Sequence, residues 1–313
     1  MKNNHIVITL LRNIHKVITL SLNNNKVITY HKSKYKVITK LLIYYIVITF
    51  SLPVWALSFD SDLVEGKLVF GHLDTDESLF IEESYLNIGK NGKNLFKIPT
   101  DSHGRFAIGI PQDATQITLT LNNGTHSKKK IFSIKSRPWD EDYVTGLPPE
   151  KVAPNQKNQD RITQESLQMR LARQTSTYPD FPKKWINPVP EYKRISSHFG
   201  SRRILNNVKK QGHSGTDLAA PIGTTVIAPA DGRVAFIHPD MFLTGKTILI
   251  DHGFGIFSSY SHLNSINVKL NQQVKSGDIL GTVGQTGRAT GPHLHWTITW
   301  YGVRVNPEDL IDF

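Results

Sequence analysis

Gly281-Thr-Val-Gly-Gln-Thr-Gly-Arg-Ala-Thr-Gly-Pro-His293-Leu-His295-Trp296 is the stretch on which the reading of this 313-residue chain turns. Glycines at 281, 284, 287 and 291 divide it into short pieces, and it ends on two histidines one residue apart. Side chains at i and i+2 of a strand point to the same face, so His293 and His295 can line one cleft. One can then bind a metal ion while the other stays free to shuttle protons. A lone His-x-His pair carries little, because a histidine in a strand is more often a structural hydrogen-bonding residue.

Two upstream segments give the pair its context. His213-Ser-Gly-Thr-Asp217 offers an imidazole and a carboxylate, and Tyr260-Ser-His262 offers another imidazole. A hydrolytic zinc site needs three protein ligands and one open position for water, and His/carboxylate sets provide this without thiolates. The chain has no cysteine. That excludes a disulfide framework, a thiolate nucleophile, a Cys-based zinc site and an N-terminal lipid-modified cysteine. Around these segments, Thr225-Val-Ile-Ala, Arg233-Val-Ala-Phe-Ile, Lys246-Thr-Ile-Leu-Ile and Ile256-Phe-Ser-Ser-Tyr read as strands. Turns such as Asp231-Gly232 and His252-Gly-Phe-Gly255 separate them.

The three segments in this order resemble the lysostaphin-type (LytM-like) zinc metallopeptidases, in particular a proteobacterial subgroup of peptidoglycan endopeptidases. The family's H-x-G-x-D and A-P-x-G-T appear as His213-Ser-Gly215-Thr-Asp217 and Ala220-Pro-Ile-Gly223-Thr224, and its final H-x-H as His293-Leu-His295. The likeness spans about residues 186–308, with Ile195-Ser-Ser-His-Phe-Gly200-Ser-Arg202 at its front and Val305-Asn-Pro307 near its end. Carried over position by position, it makes His213, Asp217 and His295 the ligands of one Zn2+ per chain, with His262 and His293 as the catalytic pair. Which of the two takes the water proton, and which meets the oxyanion or leaving amine, stays open. Trp296-Thr297 departs from the aromatic-then-carboxylate pair of many relatives, at neither a ligand nor a catalytic position. For His198 and His252, which fall beside the motifs, a burial or turn explanation suffices.

The resemblance implies a metalloendopeptidase cutting peptide cross-links between peptidoglycan stem peptides. The alternative is a non-enzymatic or autoinhibited wall-binding regulator of other cell-wall hydrolases. Relatives of that kind characteristically lack metal ligands. Val144-Thr-Gly-Leu-Pro-Pro-Glu-Lys151 also looks like the leader of the proteobacterial subgroup, which favours the periplasm of a Gram-negative cell over a secreted or cell-wall-associated location. The sequence names no cell-wall or divisome protein as a further partner.

Upstream of the peptidase region, assigned to 183–313, the chain reads as three parts. Residues 136–182 are a polar linker holding one surface helix over Asp160–Arg173, rich in helix formers. Residues 59–135 alternate apolar and polar positions in short runs, with Asn-Gly turns at 91–92 and 123–124. They predict a small, sandwich-like β domain without a cluster suited to chemistry. The expected fold class is therefore mainly β, completed by an antiparallel sheet in the C-terminal region.

Residues 1–58 hold a leader with a repetitive extension. Val-Ile-Thr recurs at 7–9, 17–19, 27–29, 37–39 and 47–49. Such a period is what a 30-nucleotide DNA repeat gives on translation, so we place the true start downstream of Met1. Lys34, Lys36 and Lys40 precede the apolar run Leu41–Ser58, which ends small-x-small at Ala56-Leu-Ser58. This is the form of a secretory signal peptide cut after Ser58. As an uncleaved anchor the run is short for a span of about 20 residues and contains Pro53, so no stable membrane insertion is expected after cleavage.

The net charge of +11 invites a nucleic-acid partner. However, eight of the 37 Lys/Arg and none of the 26 acids lie in residues 1–58, leaving 29 basic against 26 acidic residues beyond them. The excess sits in a segment expected to be removed, and no recognition motif accompanies it. Nucleic acid is excluded as a partner on that distribution.

Overall fold

The computed structural model describes residues 57–74, 77–86, 94–174, 176–182, 184–206, 208–209 and 211–311. The repeat, the leader up to residue 56 and the Asn91-Gly92 turn lie outside them. Leu57 and Ser58, expected as the end of the leader, are the first two residues of strand β1 (Leu57–Phe59). Leu57 is buried there and pairs with Leu73.

The alternation after residue 59 produces β2 (Leu68–Leu73), β3 (Ser78–Glu82), β4 (Leu95–Lys97), β5 (Arg105–Gly109), β6 (Gln116–Asn122) and β7 (Ser127–Ser133). With β1 they form two antiparallel sheets, ordered β1-β2-β5 and β4-β3-β6-β7. Phe59 of the first meets Phe132 of the second edge-on at 5.2 Å, so the sheets pack on each other. Their buried residues include Leu79, Ile81, Phe106, Ile108, Ile117 and Leu119. The Asn123-Gly124 signal is the β6–β7 hairpin: Asn122 Oδ1 accepts from the Gly124 N–H at 2.6 Å, with Gly124 at φ 92°. The apolar core continues into the C-terminal sheet, where Phe96 packs on Tyr301, and Phe70 packs on Phe181 of the 136–182 stretch.

Residues 136–182 hold β8 (Glu141–Val144), the single turn α1 (Pro149–Val152) and the helix α2 (Gln156–Ala172). The helix begins four residues before Asp160 because Asn155 caps it, accepting from the Asn158 N–H. Only Glu165 and Met169 on it are buried, which explains the loose helical spacing of its apolar residues. Met169 packs on Met241, Leu249 and Phe257. Glu165 accepts from the Phe242 N–H at 2.8 Å.

The rest is antiparallel sheet, as expected. Its strands are β9 (Arg194–Ser197), β10 (Arg202–Leu205), β11 (Val208–Lys209), β12 (Thr216–Ala219), β13 (Thr225–Ile227), β14 (Gly232–Met241), β15 (Gly245–Asp251), β16 (Ile256–Ile266), β17 (Gln273–Val274), β18 (Ile279–Val283), β19 (His293–Trp300) and β20 (Val303–Val305). The main sheet runs β17-β14-β15-β16-β19-β12-β9, with β18 joining β13 to β16 and β20 flanking β19. Strand β10 instead pairs with β11 and, in parallel, with β8.

Along β19 the two faces separate by parity. Leu294, Trp296, Ile298 and Trp300 are wholly buried in the core. His293, His295, Thr297 and Thr299 occupy the other, polar face. Trp296, one half of the noted departure, therefore points away from His295, and Thr297 meets Ser259 across the strand pair, Oγ1 to Oγ at 2.5 Å. Among the described residues no helix is long and apolar enough to cross a membrane.

Candidate metal centre

Strand register draws a polar row across the middle of the sheet. Asp217 of β12 pairs with His295 of β19, His295 with Ser261 of β16, and Asp217 with Ser197 of β9. Adjacent strands lie about 4.8 Å apart, so same-face side chains in the row meet. His293 stands two positions from His295, opposite Ala219. Gly215 lets the chain enter β12 this close to β19, because a Cβ there would stand 2.2 Å from the Trp296 carbonyl oxygen.

His213, just ahead of β12, completes a convergence of three donors. Its Nε2 lies 3.0 Å from Asp217 Oδ1 and 2.9 Å from His295 Nδ1, and His295 Nδ1 is 2.7 Å from the same Oδ1. All three residues are buried. Behind them the hydrogen bonds fix protonation. The His213 Nδ1–H donates to the His198 carbonyl at 3.0 Å and meets Ser197 Oγ at 2.8 Å, so its Nε2 presents a lone pair to the cluster. Arg203 Nη2 donates to Asp217 Oδ2 at 2.7 Å, leaving Oδ1 for the cluster.

Burial alone would raise the Asp217 carboxyl. The close approach of His213 and of His295 nonetheless holds it well below the usual carboxylate range. Burial pushes His295 down to about 4, against the opposing pull of Asp217. A buried carboxylate facing two unprotonated imidazole nitrogens is a donor set that fits a metal ion with an open fourth position.

His262 and His293 flank this cluster. Their ring centroids are 4.8 Å apart, and His262 lies 5.9 Å from His295. Each gives its Nδ1–H to a backbone carbonyl: His262 to Thr286 at 2.6 Å and His293 to Gly291 at 2.8 Å. Nε2 is thereby left as the basic nitrogen of both, and that of His293 stands 3.8 Å from Asp217 Oδ1. His262 sits in a β-bulge, since β16 advances from Tyr260 to Leu263 while β15 advances only from Ile248 back to Lys246. Its φ of 62° is a left-handed conformation unusual for histidine. Such strain persists only where surroundings fix it, and here the His262 N–H donates to Thr244 at 2.8 Å. Burial, with His293 and His295 nearby, keeps the His262 imidazole neutral far below the ordinary histidine range.

The five residues singled out in the sequence are therefore brought together. The supporting groups Ser197, Arg203 and the Thr286 and Gly291 carbonyls carried no signal of their own, although Ser197 lies within the quoted Ile195–Arg202 segment. His198 faces away, its Nδ1 2.9 Å from Glu308 Oε2, and only its carbonyl serves the site. His252 is buried, with Nδ1 2.7 Å from the Asp231 carbonyl and Nε2 2.6 Å from Ser258 Oγ. Its place is structural.

Residues 211–307 match peptidase family M23. The peptidoglycan DD-endopeptidase ShyA of Vibrio cholerae is 43% identical over 122 residues, 38% of this chain and 28% of the relative. The DD-carboxypeptidase/endopeptidase Mpg of Neisseria gonorrhoeae is 42% identical over 118 residues, 37% of this chain and 26% of the relative. The aligned part thus spans under a third of the length of these curated relatives. A crystal structure of a Pseudomonas aeruginosa protein assigned to peptidase M23 has a TM-score of 0.57 at 30% identity, over 78% of this chain and 92% of that one.

Proposed function

Because this chain belongs to peptidase family M23, we propose that it is a zinc-dependent endopeptidase that hydrolyses the peptide cross-links of bacterial peptidoglycan. The observation that carries this reading is the convergence of His213, Asp217 and His295 beside two further histidines whose basic nitrogens are left free. When bound, zinc supplies Lewis acidity to a carbonyl and lowers the pKa of water towards neutrality. His213 Nε2, Asp217 Oδ1 and His295 Nδ1 would hold it, one ion per chain.

The remaining work belongs to the chain. His262 Nε2 and His293 Nε2 are the acid–base pair: one takes the proton of the attacking water, and the other, when it carries a proton on Nε2, donates to the oxyanion or the leaving amine. The two backbone carbonyls hold both rings in the Nδ1–H tautomer, so neither needs to reorient before accepting a proton. Burial keeps His262 unprotonated and ready as a base.

For the substrate we follow the relatives' names and infer a direct cross-link ending on a D-amino acid. Such a substrate lies outside the cytoplasmic membrane, in keeping with an export leader ahead of β1 and a periplasmic site of action. The test is metal content and muropeptide release from cross-linked peptidoglycan by the full chain and its His293→Ala variant. About one zinc per chain, with release of uncross-linked muropeptides by the wild type alone, supports the proposal. Zinc binding without cleavage of any cross-link would move the regulatory reading ahead.

A further inference from the structure

The groups behind the three ligands lead to a residue outside the matched region. Ser197 Oγ meets His213 Nδ1 at 2.8 Å, accepts from Arg203 Nη2 at 3.2 Å and donates to Asp142 Oδ2. A hydroxyl has one proton to give, and a carboxylate only accepts. Asp142 therefore takes the Ser197 proton and leaves that oxygen to accept from both His213 Nδ1–H and Arg203. Arg203 donates onward to Asp217 Oδ2, so one chain of hydrogen bonds runs behind two of the three ligands.

Resting on the metal-centre reading above, we propose that Asp142 is a positioning residue for the metal: through Ser197 it holds His213 in the Nδ1–H tautomer and aims Nε2 at the ion. The His198 carbonyl shares the same N–H, but it connects to neither Arg203 nor Asp217. The Ser197 branch is the shorter contact and joins the ring to the carboxylate ligand.

The placement of Asp142 is a feature of the fold. Strand β8 lies parallel to β10 with Asp142 paired to Arg203. Just before β8, the Trp139 ring packs on Phe199 at 5.7 Å and covers Gly200, where a Cβ would come within 2.1 Å of it. Trp139 Nε1 donates to Glu65 Oε2 at 3.1 Å, and Arg137 forms a two-point pair with Asp309 at 3.1 and 2.7 Å. Glu65 precedes β2 and Asp309 follows β20, so β8 is pinned from both ends of the described chain. The docking of this segment thereby becomes part of the metal affinity.

Asp142→Asn preserves shape but removes the forced polarity, because an amide can donate to Ser197 and release its hydroxyl proton towards His213. Zinc affinity of the full chain, measured by competition with a chromophoric chelator, should fall roughly 10–100-fold in Asp142→Asn and in Ser197→Ala, the usual cost of losing a group that orients a ligand. The double variant should fall no further than the weaker single, since both act through one chain of bonds. An unchanged Tm of the metal-free proteins separates this from misfolding, and Asp142→Ala gives a second reading at the same position. Wild-type affinity in a folded Asp142→Asn would show that the His198 carbonyl suffices and overturn the proposal, as would additive losses in the double variant. A wild-type chain that binds no zinc would instead remove the metal-centre reading itself.

Discussion

The two halves of the candidate site are supported in different ways. His262 and His293 are anchored to backbone carbonyls at Thr286 and Gly291, both in the segment leading into β19. In the ligand half, His213, Asp217 and His295, the His198 carbonyl shares the work with a side-chain network through Ser197 and Arg203 that reaches as far as Asp142 on β8. A backbone carbonyl stays in place whatever side chain its residue carries, whereas a side-chain network can be broken at any member. The base pair should therefore be robust to remote substitution and the ligand set sensitive to it. Changes in the ligand half should register first as metal affinity, and changes in the base half as turnover.

The largest effects should come from the two halves themselves. Asp217→Ala removes the carboxylate that both imidazoles face, and His295→Ala removes its partner across the strand pair. Either should abolish stoichiometric zinc binding, measured as metal retained after dialysis, together with cleavage. His262→Ala should keep the metal and lose roughly 100- to 10,000-fold in kcat, the usual contribution of a positioned acid or base. A His262→Ala chain that loses zinc would break the division into halves.

A smaller effect tests how far the ligand half extends. Trp139→Ala removes the aromatic anchor of β8 on Phe199 without touching a ligand or Ser197. Zinc affinity should fall by no more than in Asp142→Asn, roughly tenfold, while kcat at saturating zinc stays at the wild-type value. Loss of kcat at saturating zinc would mean that β8 also shapes the base half.

This asymmetry also governs how much could be read before the fold was known. The five candidate site residues were legible because each lies in a short segment that resembles a family motif. The shared face of His293 and His295 follows from strand periodicity. The small sandwich and α2 were legible in alternation and composition, although Asn155 as the cap placed the helix start earlier than Asp160. The bulge at His262 was not legible, because it arises from the mismatch in advance of β15 and β16, which no single segment specifies. Arg203 and Asp142 were hidden for a related reason. They become neighbours only through the parallel pairing of β8 with β10, between segments 61 residues apart along the chain (Glu141 with Arg202), and a stretch rich in proline and polar residues gave no sign of it.

His252 sharpens the comparison from outside the site, with the smallest expected effect. Like His213 it gives Nδ1–H to a backbone carbonyl, that of Asp231, but its Nε2 meets Ser258 Oγ rather than a ligand cluster. Burial pushes it down from 6.5 to about 4, so the folded protein holds it neutral where the unfolded chain takes up a proton. Its stabilising contribution is therefore complete above pH 6.5 and is lost as pH falls towards 4, by about 1.4 kcal/mol per pH unit within that window. Denaturant unfolding of wild type and His252→Gln at pH 7.5 and 5.5, both zinc-loaded, should show the wild type losing about 1.4 kcal/mol more than the variant over that interval. Equal losses would mean that His252 protonates in place with its hydrogen bonds rearranged. In that case burial alone would not keep a histidine neutral in this sheet, and the neutral state of His262 would have to be credited to its neighbours His293 and His295.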